Sequence, residues 1–247
     1  MNKLIIPRRR FITGAAALLA YSALPKIPRA ATIINPFILG GEAATISFTA
    51  NAADAADQST VTFSGQAIGT AATDRIVVIG VTCNAGEPIT SATIGGISAA
   101  SVVEGDALGG TAYAALWQAS VPTGATADIV INLTGTSFRT GLGVWAIYGA
   151  SSTVTDTGSS IADPSTDTLN ISAGGVAIGM ANSEGVSTSS YTWTNLTENF
   201  DSGLGEGTGA YSGASAAFAA EQTALSITAD PTSGSAWAMA CASWPPA

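Results

Sequence analysis

Ile76-Val-Val-Ile-Gly80-Val-Thr82 and Gly175-Val-Ala-Ile-Gly179-Met-Ala181 are one kind of segment written twice. Each is an apolar run of strand length, bounded by turn-forming residues and without a 3.6-residue apolar period. The pair aligns at an offset of 99. The same offset superposes Ser91-Ala-Thr-Ile94-Gly-Gly-Ile97-Ser98 on Ser190-Tyr-Thr-Trp193-Thr-Asn-Leu196-Thr197. Each of these reads as a strand, a two-residue turn (Gly95-Gly96, then Thr194-Asn195) and a return strand, the pattern of a hairpin. Tyr113 then matches Tyr211, Ile129 and Ile131 match Leu225 and Ile227, and Gly143–Tyr148 parallels Ala236–Cys241. The order never changes, which is the mark of an internal duplication.

Working outward from these runs, residues 75–247 read as a β-sandwich of two repeats, 75–150 and 174–247. Each repeat supplies about five strands, too few to bury both faces of a sheet alone. The expected fold is all-β: a jelly-roll-like antiparallel sandwich made by packing two duplicated halves of about 70 residues on one another. Arg75–Thr82, Gly141–Tyr148, Gly175–Ala181 and Ala236–Ser243 are the least polar runs and are expected as central core strands. Trp117, Trp145, Trp193 and Trp237 are expected in the core or at its rim. Residues 31–74 read as a lead-in with short strands at Thr45–Ala50 and Ser59–Ser64, and Ser151–Leu169 as the connection between halves.

Charge divides the chain differently. Lys3, Arg8, Arg9, Arg10, Lys26 and Arg29 make residues 1–30 a basic, partly apolar arm without a single carboxylate. Beyond it only Arg75 and Arg139 face all 17 Asp and Glu. Such a body is a poor partner for nucleic acid, because phosphate contacts need Lys and Arg. Only 10% of residues are charged, so hydroxyls and amides keep the surface wet, as suits an extracellular or assembled surface. In the arm, Arg8-Arg9-Arg10-Phe11 before a weakly apolar run containing Leu18 and Leu19 has two readings. One is a twin-arginine export signal. The other is a retained anchor that docks the protein on a larger assembly, with Arg8, Arg9, Arg10, Phe11, Leu18 and Leu19 as its contact residues. A cut after Ala30 would put Pro28 at −3 and Arg29 at −2, which suits a signal peptidase poorly.

The search for chemistry ends mostly in exclusions. His is absent and the last Lys is Lys26, so Ser-His-Asp, Cys-His and body-borne Ser-Lys catalysis are ruled out, as are His-ligated metals. Carboxylates remain. Glu104/Asp106 and Glu198/Asp201 stand at matching places in the two repeats and would suit a glycosidase acid and base. Duplication explains their symmetry better, since an acid and a base need different environments. Asp54/Asp57 and Asp163/Asp167 offer oxygen ligands to Ca²⁺, without a complete ligand series. Gly205-Glu-Gly-Thr-Gly209 imitates a nucleotide loop, but its Glu would repel phosphate. Cys83 and Cys241 lie in apolar runs, and both a disulfide and two buried free thiols fit them. No catalytic, cofactor-binding or metal residue is assigned.

Ser91–Ala99, Trp117-Gln-Ala-Ser-Val-Pro122 and Arg139-Thr-Gly-Leu-Gly-Val-Trp-Ala-Ile-Tyr-Gly149 resemble segments of β-rich proteins encoded by phages and prophages of alphaproteobacteria. The Arg-Arg-Phe-led arm is similar to the starts of small virion-associated proteins of that group. The resemblance covers about two-thirds of the chain and carries no catalytic residue. It implies a non-enzymatic virion structural protein, a decoration, fibre, neck or tail component. Its partners would be other virion proteins in multiple copies and, on the outside, a host-surface glycan. The exported alternative is a surface or periplasmic binding protein, carbohydrate-binding in one form.

Overall fold

The computed structural model describes residues 42–84, 87–106, 111–137, 139–186, 190–205 and 209–247. These residues hold sixteen strands and no helix. In chain order the first eight are β1 (Thr45–Asp54), β2 (Gln58–Ala67), β3 (Ile76–Asn84), β4 (Ile89–Ile94), β5 (Ile97–Asp106), β6 (Ala112–Ser120), β7 (Thr126–Ser137) and β8 (Thr140–Tyr148). The second eight are β9 (Asp156–Ser160), β10 (Ser165–Ile171), β11 (Val176–Glu184), β12 (Tyr191–Thr194), β13 (Thr197–Gly203), β14 (Gly209–Ala217), β15 (Gln222–Pro231) and β16 (Trp237–Trp244).

The first eight form one continuous antiparallel sheet, β1-β8-β3-β6-β5-β4-β7-β2, which folds over at β5. The second eight repeat that order in two pieces, β9-β16-β11-β14-β13 and β10-β15-β12. Both are the strand order of a jelly roll, a two-sheet architecture that can close a core by itself. The duplicated unit is therefore larger than its apolar runs suggest. It spans 45–148 and 156–244, and the supposed lead-in supplies the first two strands at full length. Eight strands per half also overturn the idea that one half must cover the other to gain a core. Val61, Phe63, Ile79, Ile94, Trp117, Ile131 and Val144 fill a core inside the first jelly roll. Leu169, Ile171, Trp193, Ile227, Met239 and Cys241 fill one inside the second.

A third core joins the halves. The five-stranded sheets meet face to face through Ile76, Val78, Leu116, Trp145 and Ile147 on one side and Val176, Ile178, Met180, Tyr211 and Trp244 on the other. The described body is thus four sheets deep, and its two inner sheets have a core on each face. That is why β3, β8, β11 and β16 read as unbroken apolar runs: every residue in β3 is buried, whichever way it points. The outer sheets alternate instead, apolar inward and Ser, Thr or Asn outward. On the first, Thr60 donates to Asn132 and Asn132 to Ser91, both at 2.9 Å. On the second, Thr166 and Thr228 share a hydrogen bond of 3.0 Å.

Trp145 marks the centre of this inter-half core. It is fully buried, and the space it fills exists because Gly80, Gly143 and Gly213 surround it. Phe48 and Phe200 pack against it at ring-centroid distances of 5.8 and 6.2 Å. Two indoles cross the seam in opposite directions. Trp145 Nε1 donates to Asn199 of the second half at 2.8 Å, and Trp244 Nε1 donates to Gln118 of the first at 2.7 Å. Trp237, the first residue of β16, is half-buried at the rim, and Trp244, not singled out by the sequence, lies fully inside. The expected second hairpin is absent. β4 pairs with β5, but β12 pairs with β15 and β13 with β14, so Asn195-Leu196 carries the chain between sheets.

Candidate functional site

β5 and β13 carry the same β-bulge, between Ser101 and Val103 and between Glu198 and Phe200. That shared irregularity fixes the true equivalence. Val103 pairs with Leu116 as Phe200 pairs with Gly213, so Glu104 corresponds to Asp201, and Glu198 corresponds to Ser101. Asp106 ends β5 opposite Tyr113, where the second half has Gly203 opposite Ala210. The two carboxylate pairs are not copies of one another. Glu104 accepts from Ser101 Oγ at 3.2 Å, and Asp201 accepts the Tyr191 N–H at 3.0 Å. Glu198 is exposed; partial desolvation, then the negative charge of Asp201, raises its carboxyl above the ordinary range.

Five other acids, Asp54, Asp74, Asp128, Asp156 and Asp167, accept backbone N–H groups at turns and strand edges. Asp54 accepts from the Ala56 N–H at 2.7 Å and from Gln58 Nε2 at 2.9 Å. Asp57 pairs with Arg139 at 3.2 Å. Asp167 takes the Ser159 N–H and Asp156 takes the Asn170 N–H, each at 2.8 Å, stitching β9 to β10 across the open side of the second jelly roll. Asp74 and Asp128 do the same for Gly149 and Gly65. Part of the body's acidity thus serves to close turns and seams. Among the described residues no group of three or more His, Cys, Asp or Glu could hold a metal ion. The Gly205–Gly209 loop falls mostly outside the described residues, as do Arg8, Arg9, Arg10, Phe11, Leu18 and Leu19 of the arm.

Cys83 and Cys241 are both free and buried, so the disulfide reading does not hold. The reason is geometric: Cys83 points into the core of the first jelly roll and Cys241 into that of the second, with the inter-half core between them. Burial pushes both thiols up to about 12. Reactivity needs the thiolate, so native protein is expected to be inert to a disulfide reagent at pH 8 and to release two thiols only on unfolding. The unfolded chain loses these protons near pH 8.5, while the native state keeps them. Between about pH 9 and 12 the native state therefore binds more protons, and stability falls as pH rises. The slope approaches about 1.4 kcal/mol per pH unit for each thiol. Urea titrations at pH 7, 9 and 10 check this, and a flat profile contradicts it.

A cleft of about 370 Å³ opens where β5 changes sheets. Ser98 pairs with Thr93 of the outer sheet, whereas Ala100 pairs with Gln118 of the inner one. The strand's departure leaves the end of β6 uncovered, and Ser152 of the inter-half connection forms the facing wall. Ile76, Ala100 and Ala119 supply apolar lining; Ser98, Gln118, Ser120 and Ser152 supply polar groups. Gln118 is fixed at both ends, donating Nε2 to the Ser152 carbonyl at 2.7 Å and accepting from Trp244 Nε1. Sequence reading missed this site. Its one trace is Gln118 itself, an amide inside the largely apolar run Ala112–Ser120, and nothing local says which face of the strand it occupies.

Against known protein families, curated proteins and solved structures, the chain finds no match.

Proposed function

We propose that this chain is a non-enzymatic structural component of a phage particle, a decoration, fibre, neck or tail protein present in several copies. In this reading residues 1–30 attach it, and the tandem jelly roll projects outward. The observation that carries the proposal is where the polar chemistry goes. The acids that suggested catalysis or metal binding serve largely as acceptors for backbone or side-chain donors, and both thiols are buried. What the outer sheets offer to solvent is rows of hydroxyl and amide groups on a rigid support. Jelly rolls serve capsid and lectin proteins alike, so the fold by itself favours neither.

The test is co-purification. Antibody labelling of purified particles from the native source is expected to find the protein on them, and deleting residues 1–30 is expected to leave a soluble, folded body that no longer incorporates. Normal incorporation of the truncated protein contradicts the anchoring role. The second reading, an exported surface or periplasmic protein, rests on the Arg8-Arg9-Arg10-Phe11 motif. Intact mass of native material separates the two: a mature start near Ala30–Thr32 supports export, and a start at Met1 or Asn2 supports assembly.

A further inference from the structure

We infer that the cleft beside β5 is a binding site for one neutral sugar unit, independent of whether the protein rides on a particle. A volume of about 370 Å³ is at the small end of ligand pockets, too little for an extended peptide and sufficient for a pyranose. No ionisable side chain lines the cleft, so an ammonium would find no carboxylate and an anion no Arg or Lys. The acid excess of the surrounding body further disfavours anions. A neutral ligand remains.

The lining also has the mixed character a sugar needs. Ser98, Ser120 and the Gln118 amide offer donors and acceptors, while Ala100 offers exposed aliphatic surface for the C–H face of a ring, bordered by the nearly buried Ile76 and Ala119. Gln118 carries the specificity. Its two hydrogen bonds, to the Ser152 carbonyl and from Trp244 Nε1, lock the amide in place. One N–H and one oxygen lone pair remain for a ligand, so ordering that side chain costs nothing further on binding. The copy of this position in the second half has no such group. Leu116 corresponds to Gly213, and hence Gln118 to Ser215, whose hydroxyl donates to Asn199 at 2.8 Å. Duplication followed by divergence has left this amide on one side alone.

The experiment follows the Gln118 side-chain amide by NMR in ¹⁵N-labelled full-length protein, assigned by its loss in Gln118→Ala. The probes are glucose, galactose, rhamnose and N-acetylglucosamine, with glucuronic acid and glucosamine as charged counterparts. A saturable shift of the Gln118 amide with at least one neutral sugar is expected, weaker or absent with its charged counterpart. Ala100→Trp, which fills the cleft from an exposed strand position, is expected to abolish the shift. Ser98→Trp serves the same purpose if that variant does not fold. No saturable shift with any neutral sugar, or a shift that survives in the filled variants, overturns the inference.

Discussion

Replacing Trp145 with alanine should cost about 3–5 kcal/mol, the range for deleting a large buried aromatic, and should loosen both halves together. The side chain is fully buried between the two inner sheets, and no side chain from Gly80, Gly143 or Gly213 can swing in to fill the void. Asn199 would keep its Ser215 partner but lose the indole N–H. The complementary change is Gly143→Val. A Cβ there would sit 2.7 Å from the Trp145 ring, so overpacking of about 1–3 kcal/mol is expected. Urea unfolding followed by fluorescence and by far-UV circular dichroism reads both effects. Trp237→Ala is the control, a half-buried indole outside this slot whose loss should matter much less. Equal effects from Trp145→Ala and Trp237→Ala would mean that the inter-half core does not hold the molecule together.

Arg75→Met is the second large effect, expected at about 3–5 kcal/mol. Arg75 is fully buried and meets carbonyls rather than a carboxylate. Its Nε donates to Val121, Nη1 to Gly69 and Nη2 to Thr123, each at 2.7 Å. One guanidinium thus ties the β2–β3 connection to the β6–β7 connection. Methionine keeps much of the stem packing but strands three acceptors, each worth about 1–3 kcal/mol when left unmatched. Arg75→Lys should recover little. A single ammonium cannot reproduce a planar fork that reaches three separate carbonyls. Stability of Arg75→Met within about 0.5 kcal/mol of the parent, the range of an ordinary surface change, would sink this account.

The offset of 99 between the β3 and β11 runs shows where pattern matching stops. It superposes Gly80 on Gly179. Yet the open side of Gly80 faces Met180 and Trp145 in the inter-half core, whereas that of Gly179 faces Trp193 in the second jelly roll. Shifting by one residue, to 100, brings Ile76 onto Val176 and Val78 onto Ile178, all facing the same core. Tyr113 and Tyr211 were likewise matched one residue out of step; Tyr113 lies in the first jelly-roll core and Tyr211 between the halves. Strands that alternate reveal their facing in the sequence. Strands buried on both sides do not, because a one-residue slip exchanges one apolar environment for another. β1 and β2 were legible only as the short strands Thr45–Ala50 and Ser59–Ser64, because their outward Ser, Thr and Gln made the rest read as a polar lead-in.

By itself the sequence determined that this is an all-β chain, that it is duplicated, and that β3, β8, β11 and β16 lie deepest. Those are statements about composition and period, which short-range sterics and hydrophobicity dictate. Tertiary structure alone decided that each copy is a complete jelly roll, that Trp145 and Trp244 cross the seam, that the thiols face separate cores, and that a strand changing sheets opens a cleft over Gln118. Each of these depends on which residues from distant parts of the chain arrive at the same place. In a body where acids close turns and apolar runs meet a core on either face, no local pattern records that.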